Sequence, residues 1–156
     1  MTEANEVLTP FAHRARNTCF GCGPANPTGL QLVFFKREDG SAVCPVSVPE
    51  RFEGMAGYLH GGVIATLLDE IMSKAMRAQG QSGVTRHMEI EYLRPVPSKT
   101  PIRLEAHVTH NEGRKHWVRG SILNERGSVL ARGKALFVEV RPRDASVKES
   151  FDAFWK

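Results

Sequence analysis

The chain has 156 residues and a mass of 17.3 kDa, the size of a single domain. With 41% apolar and 24% charged residues it is neither disordered, collagenous nor a coiled coil, and its three cysteines suit a reduced, cytoplasmic protein better than a disulfide scaffold. Twenty-one basic against seventeen acidic side chains give a net charge of +4, which suits nucleic acid or an anionic small molecule equally well.

The opening, MTEANEVLTPF, carries two acids and no apolar stretch, so no secretory signal is expected. Unbroken apolar runs fall far short of the ~20 residues that span a bilayer. Residues 1–28 are rich in turn formers and read as an irregular segment with one helical turn near Phe11–Arg16. Leu30–Phe35 is apolar at both parities, which predicts a strand buried on both faces. Asp39-Gly40 marks a hairpin turn, and Ala42, Cys44, Val46 and Val48 share one face of the next strand. After a loop over Pro49–Leu59, apolar pairs recur every four residues from Val63-Ile64 to Ala75-Met76. That stripe predicts a helix over 60–78, ended by Gly80 and Gly83. Its apolar arc is wide, so the helix should be central. Four strands follow, at Thr85–Leu93, Ile102–His110, His116–Leu123 and Val129–Val140, separated by turn signals. Phe151, Phe154 and Trp155 in the tail have the spacing of a short amphipathic helix. One helix among short-linked strands predicts an α+β fold: an antiparallel sheet wrapped around one long central helix, with a dimer repairing an open sheet edge. The expected division is an irregular segment at 1–28, the domain at 29–141 and a tail at 142–156.

The most informative stretch is GYLHGGVIATLLDE, which places His60-Gly61-Gly62 at the helix start. The first N–H groups of a helix lack internal partners and carry partial positive charge, so they can stabilise the oxygen of a tetrahedral acyl intermediate. Glycines there let a ligand come close. Asp69 and Glu70 lie further along. Glu70 has Lys74 at i+4 and Arg77 at i+7, the pattern of a solvated charged edge, whereas Asp69 has no cation at i±3 or i±4. Asp69 is therefore the functional candidate, against the plainer reading that it points to solvent.

His-Gly-Gly with an acid nine positions after the histidine resembles the hotdog-fold acyl-CoA thioesterases, in particular the PaaI-like, phenylacetyl-CoA branch. Thr85 followed by MEIEYLRPVP and the CFGCG-x-x-NP-x-GL segment extend the resemblance over roughly residues 19–140. It implies a hotdog fold, a homodimer or a dimer of dimers with sites at the dimer interface, and hydrolysis of acyl-CoA to free acid and CoA with no cofactor or metal. It further implies that Asp69 attacks the thioester or activates water and that the Gly61 N–H polarises the carbonyl. His60 would orient that carbonyl, Gly62 would permit close approach, and Thr85 would hold the water or Asp69. One protomer would supply the helix start and its partner the acid and hydroxyl. Many relatives carry Asn or Gln six positions before the histidine, where this chain has Gly54. That departure keeps open a second reading, an acyl-CoA binding or sensing module. A dehydratase of the same fold is disfavoured because its His-plus-acid pattern is missing.

Other residues are weighed against these. His87 has the parity of Thr85 and is expected to border the site. His107, His110 and His116 fall at strand ends or polar faces and are expected in solvent. Met72, Met76 and Met88 read as core or acyl-pocket lining. Cys19-x-x-Cys22 lacks the second pair of a zinc site, even with His13 as a third ligand, and reads as a structural turn with buried thiols; Cys44 reads as core. Arg94, Arg114 and Lys115 sit beside turns and are candidates for the CoA phosphates. No aromatic RNA-binding motif, recognition helix or basic run supports nucleic acid.

Overall fold

A computed structural model describes residues 6–12 and 14–140. His13, the tail from residue 141 with Phe151, Phe154 and Trp155, and part of the expected Phe11–Arg16 turn lie outside the described residues. The elements run β1 (Leu8–Pro10), β2 (Phe35–Arg37), β3 (Ala42–Val46), a 3-10 turn (Glu50–Phe52), α1 (Gly61–Ala78), β4 (Val84–Tyr92), β5 (Ile102–Glu112), β6 (Lys115–Leu123) and β7 (Val129–Val138). The strands form one antiparallel sheet in the order β1-β2-β3-β5-β6-β7-β4. Among the described residues no helix is long and apolar enough to cross a membrane.

Helix α1 is the core of the molecule. Leu67, Leu68, Ile71, Met72 and Ala75 are fully buried against the sheet. Each large apolar side chain so buried contributes about 1.5–3 kcal/mol. The helix ends as the glycine predicts. Gly80 adopts φ +77°, Gly80 N–H donates to Arg77 O and Gln81 N–H to Met76 O, the paired bonds of a Schellman stop. Gly83 plays a different part from the helix stop expected of it: a Cβ there would lie 2.5 Å from Val138 O, so it permits close approach to β7. Met72 rests on a cross-strand pair of glycines, Gly120 and Gly133. A Cβ on Gly120 would stand 2.9 Å from Met72 Cγ, and one on Gly133 3.4 Å from Met72 Cε.

Three local expectations change. Leu30–Phe34 is not a strand, because Gln31 sits at φ +49° and breaks the extended run. Its side chain instead donates to Pro24 O and Asn26 O. Leu30, Leu32 and Phe34 are buried while Val33 is 52% exposed, so the segment is buried on one side only. The segment before residue 28 holds a strand, β1, and beside the expected helical turn a single turn closes, with Asn17 N–H donating to Arg14 O at 3.0 Å. All three residues of β1 are exposed, which leaves no alternation to read. His116, expected in solvent, is 1% exposed; its Nδ1 lies 2.6 Å from Asn111 Oδ1 and its Nε2 2.9 Å from Glu139 Oε1.

The Gly120–Gly133 seat yields a stability prediction. Gly120→Val, overpacking the space beneath Met72, should cost about 1–3 kcal/mol and lower the thermal midpoint, whereas Ser121→Val on the other side of the strand should not.

Candidate active site

The helix start is built by three residues. His60 has extended backbone (φ −60°, ψ 139°) and caps α1. Its Nδ1 accepts the Gly62 N–H at 2.9 Å, and its carbonyl accepts the N–H groups of Val63 and Ile64. As an acceptor Nδ1 carries no proton, so the neutral ring bears its hydrogen on Nε2. Among the described residues the Gly61 N–H takes no acceptor, and it sits at the positive end of the helix. Tyr92 in β4 donates its hydroxyl to Gly61 O at 3.0 Å, tying the helix start to the sheet edge. Gly62 leaves room for the cap: a Cβ there would lie 3.1 Å from His60 Nδ1. Gly54 packs equally closely, since a Cβ on it would stand 3.1 Å from His60 Cα. A side chain at position 54 would therefore need His60 to give by a few tenths of an ångström.

The acid lies two turns along the helix. Thr85 donates its hydroxyl to Asp69 Oδ1 at 2.5 Å, which fixes the carboxylate. Oδ2 accepts no hydrogen bond among the described residues and stays available to a water or a substrate carbon. Asp69 is half-buried and Thr85 exposed. Glu70, read as a solvated edge, is instead largely enclosed, and Lys74 beside it is 1% exposed. Two neighbouring carboxylates on one helix thus differ sharply in surroundings, with Asp69 the accessible one.

The structure separates other candidates from this acid. A bulge in β4 between Thr85 and His87 sets Thr85 opposite buried Phe137 and His87 opposite Leu136. Directly opposed residues share a face, so Thr85 faces the helix and His87 faces outward, beside Glu89 at 3.3 Å. That extra residue breaks the shared parity expected of Thr85 and His87. Arg94 lies at the Tyr92 end of the sheet, where its N–H donates to Leu130 O. Arg114 and Lys115 lie at the opposite end, with Lys115 opposite Val138 and Val138 opposite Val84. The Arg114 guanidinium donates to Glu139 O at 2.7 Å. One CoA cannot engage all three from the same chain. Met72 and Met76 are core, and Met88 packs against it half-buried. Cys44 is fully buried, Cys22 nearly so, and Cys19 only partly.

His60→Ala removes the acceptor for Gly62 N–H. Loss of a cap costs about 0.5–2 kcal/mol, and chemical denaturation should read a destabilisation of that order with an unchanged slope.

Residues 56–131 match the sequence profile of the thioesterase superfamily. Human acyl-coenzyme A thioesterase 13 is 31% identical over 107 residues, 67% of this chain and 76% of that protein. The chain spans about half the length of other curated relatives that it matches, such as 48% of rat acyl-coenzyme A thioesterase THEM4, to which it is 27% identical. A solved thioesterase-superfamily protein superposes with a TM-score of 0.75 at 31% identity, covering 79% of this chain and 61% of that one. A Bacillus halodurans protein crystallised with CoA superposes at 0.65 and 29% identity, covering 73% and 77%. The Escherichia coli PaaI protein shares the fold, at a TM-score of 0.66 and 21% identity over 72% of this chain and 81% of that one. One antiparallel sheet around one long helix, a capped His-Gly-Gly helix start and these likenesses agree: the chain belongs to the thioesterase superfamily and has its hotdog fold.

Proposed function

We propose that the protein hydrolyses acyl-CoA thioesters to free acid and CoA, at sites that each draw on two copies of the chain. The observation that carries this is the pairing of an unspent helix N-terminal donor, Gly61 N–H, with an accessible carboxylate held by a hydroxyl, Asp69–Thr85. The first supplies an oxyanion donor and the second a base or nucleophile, the parts that thioester hydrolysis needs.

Within one chain these parts cannot meet. Eight residues of helix separate Gly61 from Asp69, about 12 Å of axial rise, whereas both must lie within about 3 Å of one acyl centre. The sheet edge offers the remedy. Among the described residues, strand β4 is a nine-residue edge strand bonded to β7 alone. Val84, Tyr92 and Leu93 are exposed along it, as are Met55 and Tyr58 in the loop before the helix. Such an edge is a template for a second strand. Antiparallel pairing of two β4 strands about their middle would set the Tyr92 end of one beside the partner's Thr85. That brings Gly61 of one protomer to the partner's Asp69, and Arg94 of one to the partner's Arg114 and Lys115. The basic groups that lie apart in one chain would then converge where the phosphates of CoA need charge.

In this site the Gly61 N–H takes the developing oxyanion. Asp69 Oδ2 attacks the thioester carbon or removes a proton from water, with Oδ1 held by Thr85. His60 offers its Nε2–H to the acyl or pantetheine oxygens. CoA leaves as the thiolate; where Asp69 has attacked directly, water then cleaves the acyl anhydride, and the acid follows. The second reading, binding without turnover, is favoured by Gly54, which presents no amide to the carbonyl. It requires tight acyl-CoA binding with no release of CoA.

The tests use a panel of short, medium, long and arylacetyl CoA esters. Asp69→Asn should keep the Thr85 contact and acyl-CoA binding while lowering kcat by about 10²–10⁴-fold, the scale of a lost general base. Gly61→Pro removes the N–H and adds a ring, at the helix position where proline is well tolerated, and should lower kcat by at least about 10²–10³-fold. Unchanged turnover in Asp69→Asn rejects Asp69 as the base or nucleophile, and binding without hydrolysis in the unsubstituted protein rejects the hydrolase reading.

A further inference from the structure

On the other side of α1 lies a cluster that the hydrolytic site does not use. Ligand-capable atoms of Cys19, Cys22 and Glu70 lie within 4.8 Å of one another. The Cys19 thiol donates to Glu70 Oε1 at 3.8 Å. Lys74 Nζ donates to Cys22 Sγ at 3.5 Å, and Asn17 Nδ2 to the same sulfur at 3.7 Å. The turn is shaped around these groups. Gly23 N–H closes onto Cys19 O at 2.8 Å. A Cβ on Gly21 would lie 2.3 Å from Glu70 Cδ, so glycine there lets the turn close over the carboxylate. Lys74 is almost wholly buried, with its ammonium 5.1 Å from the Phe34 ring centroid.

A metal ion fits this cluster poorly. Among the described residues it offers three donors where a structural zinc site takes four. The Lys74 ammonium already stands 3.5 Å from the Cys22 sulfur and 3.8 Å from Glu70 Oε2, so a divalent cation would face a buried like charge. A buried cation beside two thiols suits thiolate chemistry instead.

We propose that Cys19 and Cys22 form a dithiol centre that exchanges with low-molecular-weight disulfides and closes to an intramolecular disulfide. Cys19, the more exposed, is the sulfur that an outside disulfide reaches. Glu70 takes its proton, and the thiolate attacks one sulfur of the incoming disulfide. That S–S bond breaks, and the first thiolate leaves and picks up a proton. Cys22 then gives up its proton and attacks the Cys19 sulfur, the mixed disulfide breaks, and the second thiol leaves. One external disulfide is reduced to two thiols as the two cysteines lose two electrons.

The surroundings order these steps. Burial raises the Glu70 carboxyl to about 7, so it exchanges protons near neutrality. The hydrogen bond from the Cys22 thiol lowers Cys19, and the same bond raises Cys22. Once Cys19 is capped as a mixed disulfide that hold on the Cys22 proton is gone, and Lys74 and Asn17 favour the second thiolate. Cys44 is the internal control, because burial pushes its thiol up to about 12.

The test equilibrates the full chain in glutathione buffers of rising oxidised-to-reduced ratio. Samples are quenched in acid, alkylated after denaturation and weighed by mass spectrometry. The expected result is the joint loss of two of the three thiols, with peptide mapping placing the link between Cys19 and Cys22. Cys22→Ser should accumulate a glutathione adduct on Cys19, and Cys19→Ser should keep both of its thiols at every ratio. The rate of first exchange should rise with pH as the Cys19 thiol ionises, through a midpoint near 5, to which the hydrogen bond from Cys22 lowers it. Three alkylatable thiols at every ratio, or oxidation that involves Cys44, would overturn the proposal. Protection of the pair by added zinc in a chelator-treated chain would overturn it as well. The readout does not depend on hydrolysis, so it stands or fails apart from the thioesterase reading.

Discussion

A rigid helix fixes the distance between the two halves of the proposed chemistry. Gly61 and Asp69 lie on α1, whose interior is locked by Leu67, Leu68, Ile71 and Met72 against the sheet. Neither residue can move toward the other without dismantling the core. At about 1.5 Å per residue, the donor and the acid stay too far apart for one acyl group. The same helix lies along β4, so the donor sits by Tyr92 and the acid by Thr85, at opposite ends of an open sheet edge. An edge with a different functional group at each end becomes two complete sites when it meets its own copy in antiparallel fashion. In this account, sheet completion and site completion are one event.

The two faces of α1 are put to different uses. Toward β4 it carries Asp69, half-exposed and held through one oxygen. Toward the Cys19–Cys22 turn it carries Glu70 and Lys74, whose charges lie in a poorly solvated setting. Such a pair contributes little net stability, yet removing one partner is costly because the other remains buried. Helix position, one residue apart, decides which carboxylate meets solvent and which meets sulfur.

Much of this was legible in the sequence. The pairwise apolar repeat placed the helix within a residue of its bounds, and turn signals found β4 to β7, because long buried elements print their period clearly. As candidates, His60, Gly61 and Asp69 stood out by position, and Thr85 by the family resemblance. What failed has local causes. The bulge before His87 reverses strand parity, and no residue type announces it. Gln31 takes a left-handed backbone that its side-chain bonds support, in a run whose composition reads as strand. The residues of strand β1 are all exposed, and exposed side chains carry no pattern. His116, Glu70 and Lys74 are residue types usually found in solvent, and an acid–lysine pair at i,i+4 looks the same on a surface as under a loop. A sign of burial was present: Lys74 falls among Ile71, Met72, Ala75 and Met76, inside the wide apolar arc that marked the helix as central.

The composite site is tested most directly by mixing two inactive proteins. Gly61→Pro lacks the donor and Asp69→Asn lacks the acid. In a mixed dimer one site carries both lesions and the other carries neither. Subunits dissociated together and reassociated at equal concentration should therefore regain about a quarter of unsubstituted activity, since about half of the dimers are mixed and each has one intact site. Activity in the mixture no higher than in the separate variants, with subunit exchange verified by mass, would place donor and acid in the same chain and contradict the account.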